Sequence, residues 1–267
     1  MFLPIPNPIA FTIFGFDVRW YGVCLTIGIF LGILLTYKRA PGFQLDPEKV
    51  IDVLLVSIPA GIIGARLYYV IFNWEYYSKD LWQILNYRAG GLAIHGALIF
   101  GITAAIIMCR IWKIPISKIL DLAAPGIAFA QSIGRWGNYF NGEAHGIPTT
   151  LPWAIQVNGQ MVHPTFLYES LWCFALGVLL IQLSKQRKFN GQIFLIYGML
   201  YSIERFFVEG LRTDSLMVGN TLRTAQIASV LILTAFSITY LIVRKRHGKI
   251  IPGGEKEKHV EIEENNP

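Results

Sequence analysis

The chain of 267 residues is 54% hydrophobic and only 15% charged, with a formal net charge of +6. Soluble domains average about 45–50% apolar and about 25% charged residues, so this balance excludes an ordinary soluble domain and indicates a polytopic membrane protein. The basic residues gather in short segments between apolar runs, as orienting loops do, and that distribution argues against a nucleic-acid face.

Residues 1–19 are proline-rich and then aromatic and alternating, which predicts an arm lying at the membrane interface. Met1 to Pro8 lacks a basic start and is broken by three prolines, so it does not read as a secretory signal. Trp20 and Tyr21 then open the first apolar run and suit an interfacial aromatic belt. Runs near the ~20 residues needed to cross a bilayer predict seven spans, at about 20–37, 51–72, 92–110, 118–134, 166–183, 191–209 and 223–243. The fold expected is an all-α bundle, with residues 20–247 as the membrane domain.

Lys38, Arg39, Lys49, Arg110, Lys113, Lys118, Lys185, Arg187, Lys188, Arg244, Lys245 and Arg246 fall on one set of connections. Only Arg19, Lys79, Arg88, Arg135, Arg212 and Arg223 fall on the other. The positive-inside rule then sets the N-terminus outside and the C-terminus in the cytoplasm. Segments 73–91 and 135–165 form a small extracytoplasmic head. Within it, Asn158-Gly159 between alternating residues predicts a β-hairpin. The charged residues 248–267 predict a disordered cytoplasmic tail. Cys24, Cys109 and Cys173 lie far apart in or beside apolar runs, as buried thiols rather than a disulfide framework or metal set.

The polar exceptions carry the functional information. Gly134 to Gly146 is GRWGNYFNGEAHG, an active-site loop holding Arg135, Asn138, Asn141, Glu143, His145 and four glycines. Gln131, Arg135 and Asn138 would share one face if the fourth helix continued into it. Tyr201, Arg205, Glu209 and Arg212 follow i, i+4, i+8, i+11 and share a face of the sixth span. Glu204 lies off that stripe and is expected to meet Arg66. Charges in a span are either functional or part of an ion-pair network that holds the bundle. His95 stands a few residues into the third span, and Glu169 near the start of the fifth suits the helix dipole. These polar residues map toward one end of the bundle. A transporter would place its site near the midplane, so the geometry favours an enzyme acting on outward-facing lipid over a small-solute transporter or channel.

With Val18-Arg-Trp-Tyr-Gly22, the His95 segment, His163-Pro-Thr-Phe-Leu-Tyr-Glu169 and Arg205-Phe-Phe-Val-Glu-Gly-Leu-Arg-Thr-Asp-Ser-Leu216, the Gly134–Gly146 signature resembles the bacterial prolipoprotein diacylglyceryl transferases. The order of these motifs matches, and they cover nearly the whole chain before the tail. Tyr139 departs from the family's usual phenylalanine, and Gly96-Ala97 from its two glycines. The resemblance implies transfer of the diacylglyceryl group of phosphatidylglycerol to the lipobox cysteine of a prolipoprotein, giving a thioether and glycerol phosphate. It also implies that no metal or organic cofactor takes part, that His95 is the base, and that Arg135 and Arg212 hold and stabilise the phosphate. Tyr21, Asn138, Asn141, Glu143 and Gly146 are the further substrate-binding positions expected.

Overall fold

In the computed structural model, which describes residues 6–87, 90–218 and 222–250, a hairpin of β1 (Ile9–Ile13) and β2 (Phe16–Arg19) leads into α1 (Trp20–Arg39). The long helices α2 (Pro47–Phe72), α4 (Ile94–Ile111), α5 (Ile116–Asn141), α6 (Thr165–Ser184), α7 (Gln192–Leu211) and α8 (Thr224–Ile250) follow, with a single turn, α3 (Trp74–Tyr77), after α2. The seven long helices fall where the apolar runs predict spans. Five of them, α1, α2, α4, α6 and α8, are by themselves long and apolar enough to cross a membrane, and the chain is a multi-pass membrane protein. α5 and α7 fall short because they carry the charges: Lys118, Asp121 and Arg135 in one, Glu204, Arg205 and Glu209 in the other.

Small residues set the bundle's geometry. Gly28 and Gly32 of α1 meet the backbone of Ala130 and Gly126 of α5, and Gly61 and Gly64 of α2 meet Ala97 and Gly96 of α4. Without bulky side chains between them the backbones approach closely, the usual basis of helix association in lipid. Two tight antiparallel pairs result, α1–α5 and α2–α4. At one pole they are sealed together by a buried cluster of Ala40, Phe43, Leu45, Val50, Val53, Cys109, Ile119 and Leu122. A second core joins α5, α6 and α7 through Ala124, Ala128, Leu176, Leu180 and Ile193. The buried Asp121 carboxylate of α5 accepts the Gly191 and Phe194 N–H groups at 2.7 and 2.9 Å. It thereby satisfies the otherwise orphan donors at the start of α7.

The predicted hairpin forms: β3 (Ile155–Val157) pairs with β4 (Gln160–Val162), and Asn158 and Gly159 turn with φ of 48° and 81°. Ile155, Val157 and Val162 dock on Tyr139 and Phe166 at the ends of α5 and α6. Met217–Val218 (β5) and Leu222–Arg223 (β6) make a last short ladder before α8. All three cysteines are buried.

Three expectations are corrected. Residues 134–141 are helix rather than loop, because α5 runs to Asn141 and stops only where Gly142 turns left-handed with φ of 67°. Arg66 does not meet Glu204. Its guanidinium donates instead to the carbonyls of Gln83, Ile84, Asn86, Gly90 and Gly91, at 2.6–3.0 Å. The tail begins later than Gly248, since α8 extends to Ile250; the rest of the tail, Arg88 and the first five residues of the arm lie outside the described residues.

Candidate active site

Between the two helix pairs lies a cavity of about 840 Å³. Its walls are largely apolar, with Leu25, Ile29 and Ile33 from α1, Leu54 and Ile58 from α2, Ile94 from α4 and Ile127 from α5. Toward the unsealed pole the lining turns polar: Gln131, Arg135 and Asn138 project from one face of α5, joined by Tyr21, Tyr201 and Arg205. The face expected of a continued α5 is therefore the polar wall of the cavity. Gly137 lets α1 and α5 close at this level, since a Cβ there would stand 2.7 Å from the Tyr21 ring.

Behind the polar wall is an ion network. Glu169 of α6, fully buried, accepts a hydrogen bond from Arg205 Nη1 on Oε1 at 3.0 Å, and its Oε2 forms an ion pair with Arg135 Nε at 3.3 Å outside hydrogen-bond geometry. Arg205 Nη2 also reaches Glu209 Oε2 at 2.5 Å, and Arg135 Nη2 donates to the Tyr201 hydroxyl at 3.3 Å. A buried carboxylate is tolerated only when charges and hydrogen bonds replace its water; for Glu169 the charges of two guanidinium groups and one hydrogen bond from Arg205 do so. Its expected role at the helix dipole is corrected accordingly: it lies beyond the first turn of α6 and serves as the bridge between α5 and α7. Glu204 is buried as well, and neither of its carboxylate oxygens has a hydrogen-bond partner among the described residues.

The remaining candidates lie around the rim. Helix α7 ends at Leu211 and Arg212 is extended, with φ of −72° and ψ of 146°, so Arg212 leaves the stripe of Tyr201, Arg205 and Glu209. It forms a bidentate pair with Asp214 at 2.9 and 2.7 Å, and its backbone bridges to Gly146. The Arg212 hydrogen bonds hold the Asp214 carboxyl below the usual carboxylate range. Burial lowers the Arg212 guanidinium, but the Asp214 partner outweighs it and the net shift is upward. Arg223 fastens the turn from behind, donating through Nη1 to the carbonyls of Glu209 and Arg212.

Gly146 is buried and admits no Cβ, which would meet His163 Cβ at 2.6 Å, so its backbone joins Arg212 to the signature segment. Asn141 Nδ2 donates to Glu143 Oε1 at 3.1 Å on the exposed rim. His95 is in the first turn of α4, its ring 5.9 Å from that of Tyr68. Its neighbour Ile94 lines the cavity, and His95 does not.

Of the residues expected from sequence, Tyr21, Arg135 and Asn138 meet in the cavity wall. Arg212, Gly146, Asn141 and Glu143 belong to the rim, and His95 stands beside the cavity. Tyr201, Arg205 and Glu169 belong to the site and were not among the expected site residues. The regular spacing of Tyr201 and Arg205 with Glu209 was the signal, since it predicted a charged helix face, and Glu169 supplies its partner from another helix.

The family model described as prolipoprotein diacylglyceryl transferase matches residues 8–243. Similar proteins include the phosphatidylglycerol–prolipoprotein diacylglyceryl transferase of Clostridioides difficile (strain 630), 48% identical over 239 residues, covering 90% of this chain and 96% of the relative. The protein of the same name from Finegoldia magna is 47% identical over 249 residues, covering 93% and 99%. That from Clostridium novyi (strain NT) is 44% identical over 237 residues, covering 85% and 92%.

Proposed function

The chain belongs to the prolipoprotein diacylglyceryl transferase family, and from that premise we propose that it transfers the diacylglyceryl group of phosphatidylglycerol to the lipobox cysteine of a prolipoprotein. The observation that carries this reading is the cavity itself. Arginine, asparagine, glutamine and tyrosine line one end and aliphatic side chains the rest, which matches an anionic headgroup followed by acyl chains. The basic residues at the ends of α1, α4, α6 and α8 surround the sealed pole. By the positive-inside rule that pole is cytoplasmic and the arginine pole outward, where an exported acceptor peptide emerges.

In the reaction a sulfur–carbon bond forms at the glyceryl carbon and the bond from that carbon to the phosphate oxygen breaks. The oxygen keeps the electron pair and departs as glycerol phosphate. Negative charge grows on the leaving oxygen, and Arg135 presents planar, permanently charged donors beside the cavity. Its Nε and Nη2 are committed to Glu169 and Tyr201, which orients the guanidinium before substrate arrives. A pre-oriented cation in a water-poor cavity stabilises developing charge without having to reorganise. Arg205 holds the opposite oxygen of the same carboxylate and completes the positive wall. Arg212, tied to Asp214 at the rim, receives the headgroup on its way in or out. Tyr21, Asn138, Asn141 and Glu143 contact the glycerol hydroxyls, and Gly146 keeps Arg212 in register.

A thiol of pKa about 8.5 is mostly protonated at neutral pH and needs a base or a cation to become a nucleophile. His95 is assigned as that base on the family resemblance, its position giving it access only from beside the cavity. The departing phosphate is the other acceptor for the proton. A pH–rate profile of His95→Gln separates the two, because its neutral limb moves only if His95 titrates in the reaction.

The test of the reaction uses the full chain in detergent, labelled phosphatidylglycerol and a lipobox peptide. A mass gain of one diacylglyceryl unit on the peptide cysteine is expected. Solute flux without that adduct would instead favour a transporter, a reading that membership of the transferase family already opposes.

A further inference from the structure

The cavity is far longer than its polar end. It is lined on α1 from Tyr21 to Thr36 and on α5 from Asn138 to Ala123, lengths of ~22 Å at about 1.5 Å per residue. One leaflet of hydrocarbon is about half of the ~30 Å membrane core, or ~15 Å. The slot therefore runs past the depth at which a chain in the bilayer would meet the opposite leaflet.

It also ends abruptly. Leu54, part of its floor, packs against the cluster of Ala40, Val50, Val53, Leu122 and their neighbours, all of them buried. Such a core is packed like an organic solid and does not yield to another methylene. The polar atom at that depth, Thr36 Oγ1, is consumed by the Gly32 carbonyl at 2.8 Å. The far end of the cavity is thus apolar and closed, with the arginine wall as its opposite boundary.

We propose that Thr36, Leu54 and Ala123 form the stop of an acyl-chain ruler, so that the distance from this floor to Arg135 sets which donor chains bring their phosphate into register with the guanidinium. This rests on the lipid-transfer reading above and adds a specificity to it. A chain shorter than the slot leaves apolar wall uncovered and forfeits roughly fourfold in affinity for each methylene. A chain longer than the slot meets the floor before its phosphate reaches Arg135, so its loss appears as a failure to seat.

The test compares dilauroyl, dipalmitoyl and distearoyl phosphatidylglycerol as donors to a lipobox peptide, using the full chain and Ala123→Phe. Ala123 is half-buried on the cavity side of α5, so the added ring fills the floor. In A123F, kcat/KM for the distearoyl donor should fall by roughly tenfold or more, the equivalent of at least two methylenes, while the dilauroyl donor is spared. An unchanged ratio between the two donors, with transfer intact, overturns the ruler and leaves the transferase reading standing. No adduct from any phosphatidylglycerol with the unmodified chain overturns the transferase reading itself. If A123F transfers from no donor, the smaller Ala123→Leu decides by the same ratio: a shift toward short donors supports the ruler, and no shift rejects it.

Discussion

Arg66 and Arg135 are both arginines inside the helical bundle, and their surroundings differ in what they leave open to a ligand. Arg66 is 2% exposed and gives all three of its nitrogens to backbone carbonyls of the segment 83–91. Nothing is left for a ligand, and its charge is spread over carbonyl dipoles that tie down a loop. Arg135 meets a carboxylate and a phenol through Nε and Nη2 and faces a cavity with the rest of its fork. A buried charge is tolerated in either setting. Only the second setting leaves donors aimed at space that an anion could fill.

The sharpest way to break this contrast is to remove each cation and ask which property fails. Arg135→Ala should lower transfer by on the order of 10³-fold, about 4 kcal/mol of transition-state stabilisation, with the protein still inserted and folded. Arg135→Lys should recover little of it, since an ammonium cannot reproduce the fork. A single-turnover rate near wild type in either variant would reject the role of Arg135.

Arg66→Ala should do the reverse. It strands the five carbonyls that Arg66 holds and lowers stability by roughly 3 kcal/mol, read as an earlier thermal midpoint in detergent. The folded fraction that survives should turn over normally. Loss of turnover per folded molecule would erase the distinction between the two arginines.

A smaller effect is expected where the polar wall is held in place rather than made. Gly137→Ala places a Cβ 2.7 Å from the Tyr21 ring, and overpacking of this kind costs about 1–3 kcal/mol. The KM for phosphatidylglycerol should rise more than kcat falls, because Tyr21 and Asn138 are displaced while Arg135 keeps its partner. Equal effects on both parameters would mean that the arginine had moved as well.

The smallest effect concerns the rim. The Asp214 carboxyl is held below its ordinary value by Arg212, so its contribution is complete above the unfolded value of about 3.9 and fades as pH falls through the lower folded value. Because its side chain is 49% exposed, the pair is worth less than about 1 kcal/mol. Asp214→Asn should flatten the acid limb of the stability profile below about pH 4 and leave the neutral range unchanged. An unaltered acid limb would show that the pair contributes nothing.

Much of this architecture could be read before any coordinates. Apolar runs of membrane-spanning length marked the long helices, since hydropathy is a local property that the bilayer reads directly. Asn158-Gly159 specified its own turn for a similarly local reason. The i, i+4, i+7 spacing of Gln131, Arg135 and Asn138 already contained the polar face of α5. Its helical continuation to Asn141 was less legible, because glycines and asparagines favour turns unless packing decides otherwise.

What composition and spacing determined by themselves was the membrane class, the approximate helices and the residue types of the site. The tertiary structure alone decided who meets whom. It paired Glu169 with Arg135 and Arg205, left Glu204 without a hydrogen-bond partner among the described residues, and gave Arg66 to a loop instead. Charge pairing depends on which helices small residues allow to touch, and that information lies in the packing of Gly28, Gly32, Gly61 and Gly64 rather than in the neighbourhood of any charge. The depth and floor of the cavity arise in the same way, as the space two tightly fused helix pairs leave between them.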